Sequence, residues 1–111
     1  MESLKRGDLV LLALQGDYGK PRPALVVQSD LFNAAHPSVT VLPLTSELRD
    51  AALFRIDVAP APENGLRKPS QVMLDKVSTI AREKVGGRIG RLDEETMVRV
   101  NRSLMVWLAL P

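Results

Sequence analysis

The sequence predicts a mainly β fold: a small barrel with one α-helix at its C-terminal end. Three observations predict it. Short apolar runs of strand length recur between residues 9 and 89, glycines and prolines punctuate them, and only the stretch after Asp93 carries apolar residues at helical spacing.

Arg6-Gly7-Asp8 reads as a turn into a first strand over residues 9–14, apolar almost throughout, as expected of a strand covered on both sides. The tripeptide also matches a cell-adhesion motif, for which a cytoplasmic protein has no use. Gln15-Gly16-Asp17-Tyr18-Gly19 has no regular period and reads as a loop. In Lys20-Pro21-Arg22-Pro23-Ala24-Leu25-Val26-Val27-Gln28 two prolines fix φ on either side of a cation, and a β-branched apolar run follows. A second strand is therefore expected over residues 24–28, with Arg22 at its mouth. Ser29-Asp30 can cap one helical turn through Phe32 and Asn33, ended by His36-Pro37. Residues 39–44 read as a third strand, and Pro43 within it implies an edge or a bulge. Residues 47–52 are polar, a loop or a short helix. Phe54-Arg55-Ile56-Asp57-Val58 alternates with period two and predicts a half-buried strand. Asn64-Gly65 is the turn of the loop that follows. Two short strands are expected over residues 71–74 and 77–80, around Asp75-Lys76. A last one is expected near Arg88 and Ile89, among Gly86, Gly87 and Gly90. Asp93 is a good helix N-cap, with Glu94 and Glu95 in the first turn and Leu92 and Met97 placed as a hydrophobic staple. Met97, Val100, Leu104, Trp107 and Leu108 share one face of that helix, and Glu95 and Arg99 form an i,i+4 pair on the other.

Length and composition bound what such a fold can do. A chain of 111 residues, 45% hydrophobic, suits one domain over 1–111 with a core of its own. It has no cysteine, so no disulfide framework or thiolate metal site, and no apolar run of membrane-spanning or signal-peptide length. A soluble, cytoplasmic protein is expected. The net charge of +2 is unevenly spread: residues 1–66 carry six Lys/Arg against eight Asp/Glu, residues 67–111 nine against five. The basic half suits a polyanion or an acidic peptide.

Much chemistry is excluded. His36 is the only histidine, so a His-pair mechanism is unavailable, and beside a proline it reads as a loop residue. No His/Asp/Glu cluster has metal-ligand spacing, and no Gly-rich loop leads into a helix as a nucleotide site requires. Aromatic residues are 4%, too few for a base-stacking platform. Met73 and Trp107 read as core. Asp75 is either a turn-capping acid or a site residue. Arg22, Thr45, Ser46, Asp75 and Lys76 remain, all near strand ends. The rigid donor fork of Arg22 fits a phosphate, and a surface ion pair is the plainer alternative.

Lys5-Arg6-Gly7-Asp8-Leu9-Val10, the Lys20–Val27 block, Pro43-Leu44-Thr45-Ser46, the stretch from Ser70 to Ile80 and the helix from Asp93 together resemble the MazF/PemK family of toxins. The resemblance covers nearly the whole chain, and Arg-Pro followed by four apolar residues is its most specific part. It implies an SH3-like barrel, a homodimer, a cognate antitoxin, and a sequence-specific endoribonuclease acting on single-stranded RNA. With no carboxylate or histidine cluster to hold a divalent ion, cleavage without a metal or other cofactor is expected. By similarity Arg22 and Thr45 fall on the family's catalytic arginine and threonine. Lys20, Ser46, Asp75 and Lys76 are expected to bind the substrate. The loop over residues 15–20 is shorter than in many members. Met73 stands where some carry an arginine, and Lys76 can supply replacement charge. Two other classes share the fold: a CcdB-like gyrase-binding toxin and a non-catalytic SH3-like binding module. Trp107 on the apolar helix face, followed by Leu-Ala-Leu-Pro, argues against the former, whose members end in an exposed Trp-Gly-Ile.

Overall fold

The computed structural model describes residues 3–13 and 20–111. Among them, seven strands form one antiparallel sheet: β1 (Asp8–Ala13), β2 (Pro21–Val26), β3 (Ser38–Thr45), β4 (Arg55–Val58), β5 (Ser70–Met73), β6 (Ser78–Ala81) and β7 (Val85–Arg91). The order is β4-β5-β3-β2-β1-β7, with β6 paired to β3 beside β5. The sheet curls until the loop leaving β4 leans on β7, where the Arg91 amide donates to the Glu63 carbonyl at 2.8 Å. The single helical turn α1 (Asp30–Asn33) is capped by Ser29, and α2 (Glu94–Trp107) by Asp93. No helix among the described residues is long and apolar enough to cross a membrane.

The continuous apolar strands are explained by two core layers, one on each face of the curled sheet. Leu9, Leu25, Leu42, Leu44, Ile56 and Val72 fill one layer with Leu92 and Val100, and Met97 and Leu104 of α2 pack on it. Val10, Leu12, Ala24, Val26, Val39 and Val41 fill the other. Because successive strand residues face opposite sides, Leu9 and Val10 enter different layers, so neither face of β1 can be polar. The Arg6-Gly7-Asp8 tripeptide is structural. Asp8 is buried, accepts from the Lys5 amide at 2.9 Å and is bridged by Arg91 at 2.8 Å and Arg88 at 3.3 Å.

Several expectations are corrected. β2 begins at Pro21, not Ala24, since both prolines lie where β2 pairs β1 alone; on the other side no ladder partner needs the missing N–H. β3 is central, not an edge. Pro43 is tolerated because it sits where β3 passes from β6, paired over residues 38–41, to β5, paired over residues 44–45. Residues 47–52 form a loop, one of the two expected alternatives. Asp75 and Lys76 belong to a 3-10 turn, Leu74–Lys76, between β5 and β6. The last strand runs seven residues despite three glycines. On α2 the apolar face is buried only as far as Val100 and partly at Leu104. Trp107 is 48% exposed and touches Phe54, with ring centroids 6.1 Å apart, so it is not core. Met73 is only half-buried and accepts a weak contact from Arg55.

The Asp93 cap also carries a pH signature. The Thr96 hydroxyl, then its amide, donate to the carboxylate and hold it below its ordinary 3.8. Its contribution to α2 is therefore fully present above pH 3.8 and is lost as pH falls through the lowered folded value.

Candidate active site

The site forms where β2 and β3 open apart. Ala24, Leu25 and Val26 pair with Pro43, Leu42 and Val41, and continuing that register by two residues sets Arg22 across from Thr45. Arg22 and Thr45 therefore face the same side, beyond the last paired residues, where the strands leave room between them. The cavity there is about 500 Å³. Arg22, Thr45 and Ser46 line it, together with Arg67 and Lys68 from the loop before β5 and Ser70, the first residue of β5; Leu11, Leu44, Leu66 and Ile89 form its apolar floor.

Each polar group is held by its backbone. Arg22 lies between two prolines on β2 and directly across β1 from Leu12, so its backbone has little freedom. Thr45 is buried and its Oγ1 accepts from the Glu47 amide at 3.0 Å, so its own hydrogen stays available to donate to a bound group. Arg67 and Lys68 ride on a loop pinned from within. Buried Asn64 accepts from the amides of Ala61 at 3.1 Å and Leu66 at 2.9 Å and donates to the Ala59 carbonyl at 2.9 Å. Ser70 donates to the Lys68 carbonyl at 2.9 Å. Gly65 has φ +71°, and a Cβ there would fall 2.2 Å from the Ile89 carbonyl oxygen; a Cβ on Gly90 would fall 2.4 Å from the Asn64 carbonyl carbon. Two glycines thus let the loop and β7 approach backbone to backbone, and that contact sets Arg67 and Lys68 beside Arg22.

The lining is chemically one-sided. Among the described residues it holds three cations, three hydroxyls and no carboxylate or imidazole. Such a cavity can bind an anion, donate several hydrogen bonds to it and offset charge that builds on it. Among the described residues no cluster of three His, Cys, Asp or Glu side chains could hold a metal ion.

Of the six residues picked from the sequence, the structure unites Arg22, Thr45 and Ser46. Lys20 is exposed and immediately precedes Pro21 of the lining. Asp75 and Lys76 are not part of the lining. Asp75 Oδ1 is buried with no hydrogen-bond partner among the described residues. Residues 14–19 of the preceding loop lie outside the described residues. Sequence reasoning missed Arg67, Lys68 and Ser70. A basic pair two residues after an Asn-Gly turn was the available signal. His36 is a loop residue as expected, its Nδ1 accepting from the Ser38 amide at 3.2 Å.

Comparison with known proteins places the chain in a family. Residues 5–108 match the model of the PemK-like, MazF-like toxins of type II toxin–antitoxin systems. A probable endoribonuclease MazF from Mycolicibacterium smegmatis is 46% identical over 108 residues, covering 96% of this chain and 98% of the relative. A solved mycobacterial endoribonuclease in complex with its cognate antitoxin superposes with a TM-score of 0.80 at 25% identity, over 97% of both chains. The Mycobacterium tuberculosis toxin MazF-mt6 superposes at 0.81 with 26% identity, over 94% of this chain and 98% of that one. With a family match over almost its full length, a near-full-length relative at this identity and the same fold, the chain belongs to the PemK/MazF-like toxin family.

Proposed function

We propose that this chain is an endoribonuclease toxin of a type II toxin–antitoxin pair. It cuts single-stranded RNA at defined sequences in the cytoplasm and so blocks translation and growth. The observation that carries this reading is the cavity lining, three cations and three hydroxyls with no carboxylate or imidazole among the described residues. A phosphodiester is the substrate such a lining suits. Its negative charge is met on one side by Arg22, and Arg67 and Lys68 are placed to hold the phosphates next to it.

The step needs little from the protein. The ribose 2′-oxygen attacks the adjacent phosphorus and loses its proton. The bond from phosphorus to the 5′-oxygen breaks, and that oxygen takes up a proton. A 2′,3′-cyclic phosphate and a 5′-hydroxyl result. The Arg22 fork meets the charge that builds on the non-bridging oxygens, and Thr45 donates to one of them. Ser46 and Lys20 extend the basic, hydroxyl-rich surface along the strand. Incubating the pure protein with a long single-stranded RNA and mapping the new ends should show a small set of discrete cuts. Binding without any cut would leave an SH3-like binding module instead.

The same reading gives the chain two protein partners: a second copy of itself, and an antitoxin whose acidic, otherwise disordered segment folds onto the basic surface. The relative solved with its cognate antitoxin supports the pairing, and the excess of Lys/Arg in residues 67–111 supports its charge. Ordering a segment costs free energy on binding, so charge complementarity has to offset it. Sedimentation should show a dimer for the protein alone, and antitoxin affinity should fall as salt is raised. A monomer, or an affinity that ignores ionic strength, would count against this part.

A further inference from the structure

A second cavity, of about 320 Å³, lies between β4, the loop leaving β3 and α2. Four guanidiniums line it from three elements: Arg49 on the loop, Arg55 on β4, and Arg99 and Arg102 on α2. Three residues apart on a helix, the last two share a face. Two carboxylates, Asp50 and Asp57, also line it. The ion pairs among the described residues run from Arg88 and Arg91 to Asp8, and none joins these guanidiniums to either carboxylate. The hollow keeps a net excess of two positive charges.

It is also a built site. Buried Gln71 holds it together: its Nε2 donates to the Arg49 carbonyl at 2.9 Å and to Asp57 at 2.8 Å. Its Oε1 accepts from the Arg49 amide at 3.0 Å and from Arg55 Nη1 at 3.1 Å. Arg55 Nη1 also donates to the Glu47 carbonyl at 2.9 Å. Arg55 Nε is buried and has no hydrogen-bond partner among the described residues.

We infer that this cavity is a second phosphate-binding site, holding the RNA strand after it passes over the end of β3 from the scissile position. The inference rests on the endonuclease reading. Thr45 and Ser46 line the first cavity, and Arg49, three residues beyond Ser46, lines the second, a chain distance of at most about 10 Å. Across the ladder, Thr45 pairs with Gln71, which lines the second cavity, while neighbouring Ser70 lines the first. One strand end therefore separates two cationic hollows, and a flexible polyanion can bend over it. Guanidinium forks fit phosphates as well as carboxylates. The lining offers only Ala51, Ala52 and Ile56 as apolar contacts, a poor anchor for a folding acidic peptide. RNA is thus the favoured occupant.

The test uses the full protein and an RNA strand spanning a mapped cut, blocked by one 2′-deoxy at the cleaved linkage. Strands extended on either side are titrated by fluorescence anisotropy over a range of salt. Affinity should rise as the strand is lengthened on one side. The Arg99→Gln/Arg102→Gln variant should lose that gain, about tenfold or more. With two contacts gone, its slope of log affinity on log salt should fall by about 1.4. Arg99→Lys/Arg102→Lys should keep most of both. The inference is overturned if the glutamine variant binds every length as the unaltered protein does, if it weakens all lengths equally, or if it weakens only antitoxin binding. Cleavage of the unblocked strand by the unaltered protein is followed alongside. Its absence would fail the endonuclease reading itself, whereas cleavage with an unaffected glutamine variant fails this inference alone.

Discussion

Arg22→Ala should lose RNA cleavage by a factor of ~10²–10³ in kcat while keeping the fold. The size follows from what is removed: one preorganised charge donor facing the reacting phosphate. The fold should survive because Arg22 is exposed and contributes to neither core layer. Its backbone is fixed by the two flanking prolines whatever side chain it carries. Arg22→Lys should recover only part of the rate, since a lysine restores the charge but not the two-pronged geometry. The measurement is single-turnover cleavage, with circular dichroism and a thermal melt on each variant. If the alanine variant unfolds and the lysine variant cleaves normally, Arg22 is a structural residue and the assignment fails.

Replacing a single 2′-hydroxyl by hydrogen at the cleaved linkage should abolish cutting there, and EDTA should leave cleavage of the all-RNA strand unchanged. The cavity lining has cations to bind the phosphate and hydroxyls to donate to it, but among the described residues no carboxylate or imidazole to activate a water. The neighbouring 2′-hydroxyl is a nucleophile held in place by the substrate itself, an advantage of positioning that the protein need not create. The same lining sets a limit. Arginine and threonine do not titrate near pH 7, so proton transfer is poorly catalysed, and turnover should be slow compared with a histidine-based nuclease. The products should carry a 2′,3′-cyclic phosphate, or its opened form, and a 5′-hydroxyl. Equal cleavage of both strands, or loss of activity in EDTA, would sink this mechanism.

Periodicity and capping chemistry were local, and they were legible. The Asp93 cap, the Ser29 turn, the alternating strand at β4 and the Asn64-Gly65 turn each depend on side chains within a few residues of one another. The doubly buried strands were legible too, since no polar residue can interrupt a run covered on both faces. Pro43 misled because a proline reports only that one amide is missing. Where that amide would point depends on which strands lie alongside, and β3 changes partner there. The end of α2 misled for a related reason: its spacing marks an apolar face, but burial needs a second surface, and beyond Leu104 the sheet no longer covers it. By itself, then, the sequence determined a curled β fold with one C-terminal helix, and through Arg22, Thr45 and Ser46 three of the groups at its cavity. The tertiary structure alone decided that Arg67, Lys68 and Ser70 complete that cavity, and that Arg49, Arg55, Arg99 and Arg102 gather around another. Those residues lie far apart in the chain, and only strand register, backbone contact at Gly65 and Gly90, and the seating of α2 on β4 bring them within reach of a common ligand.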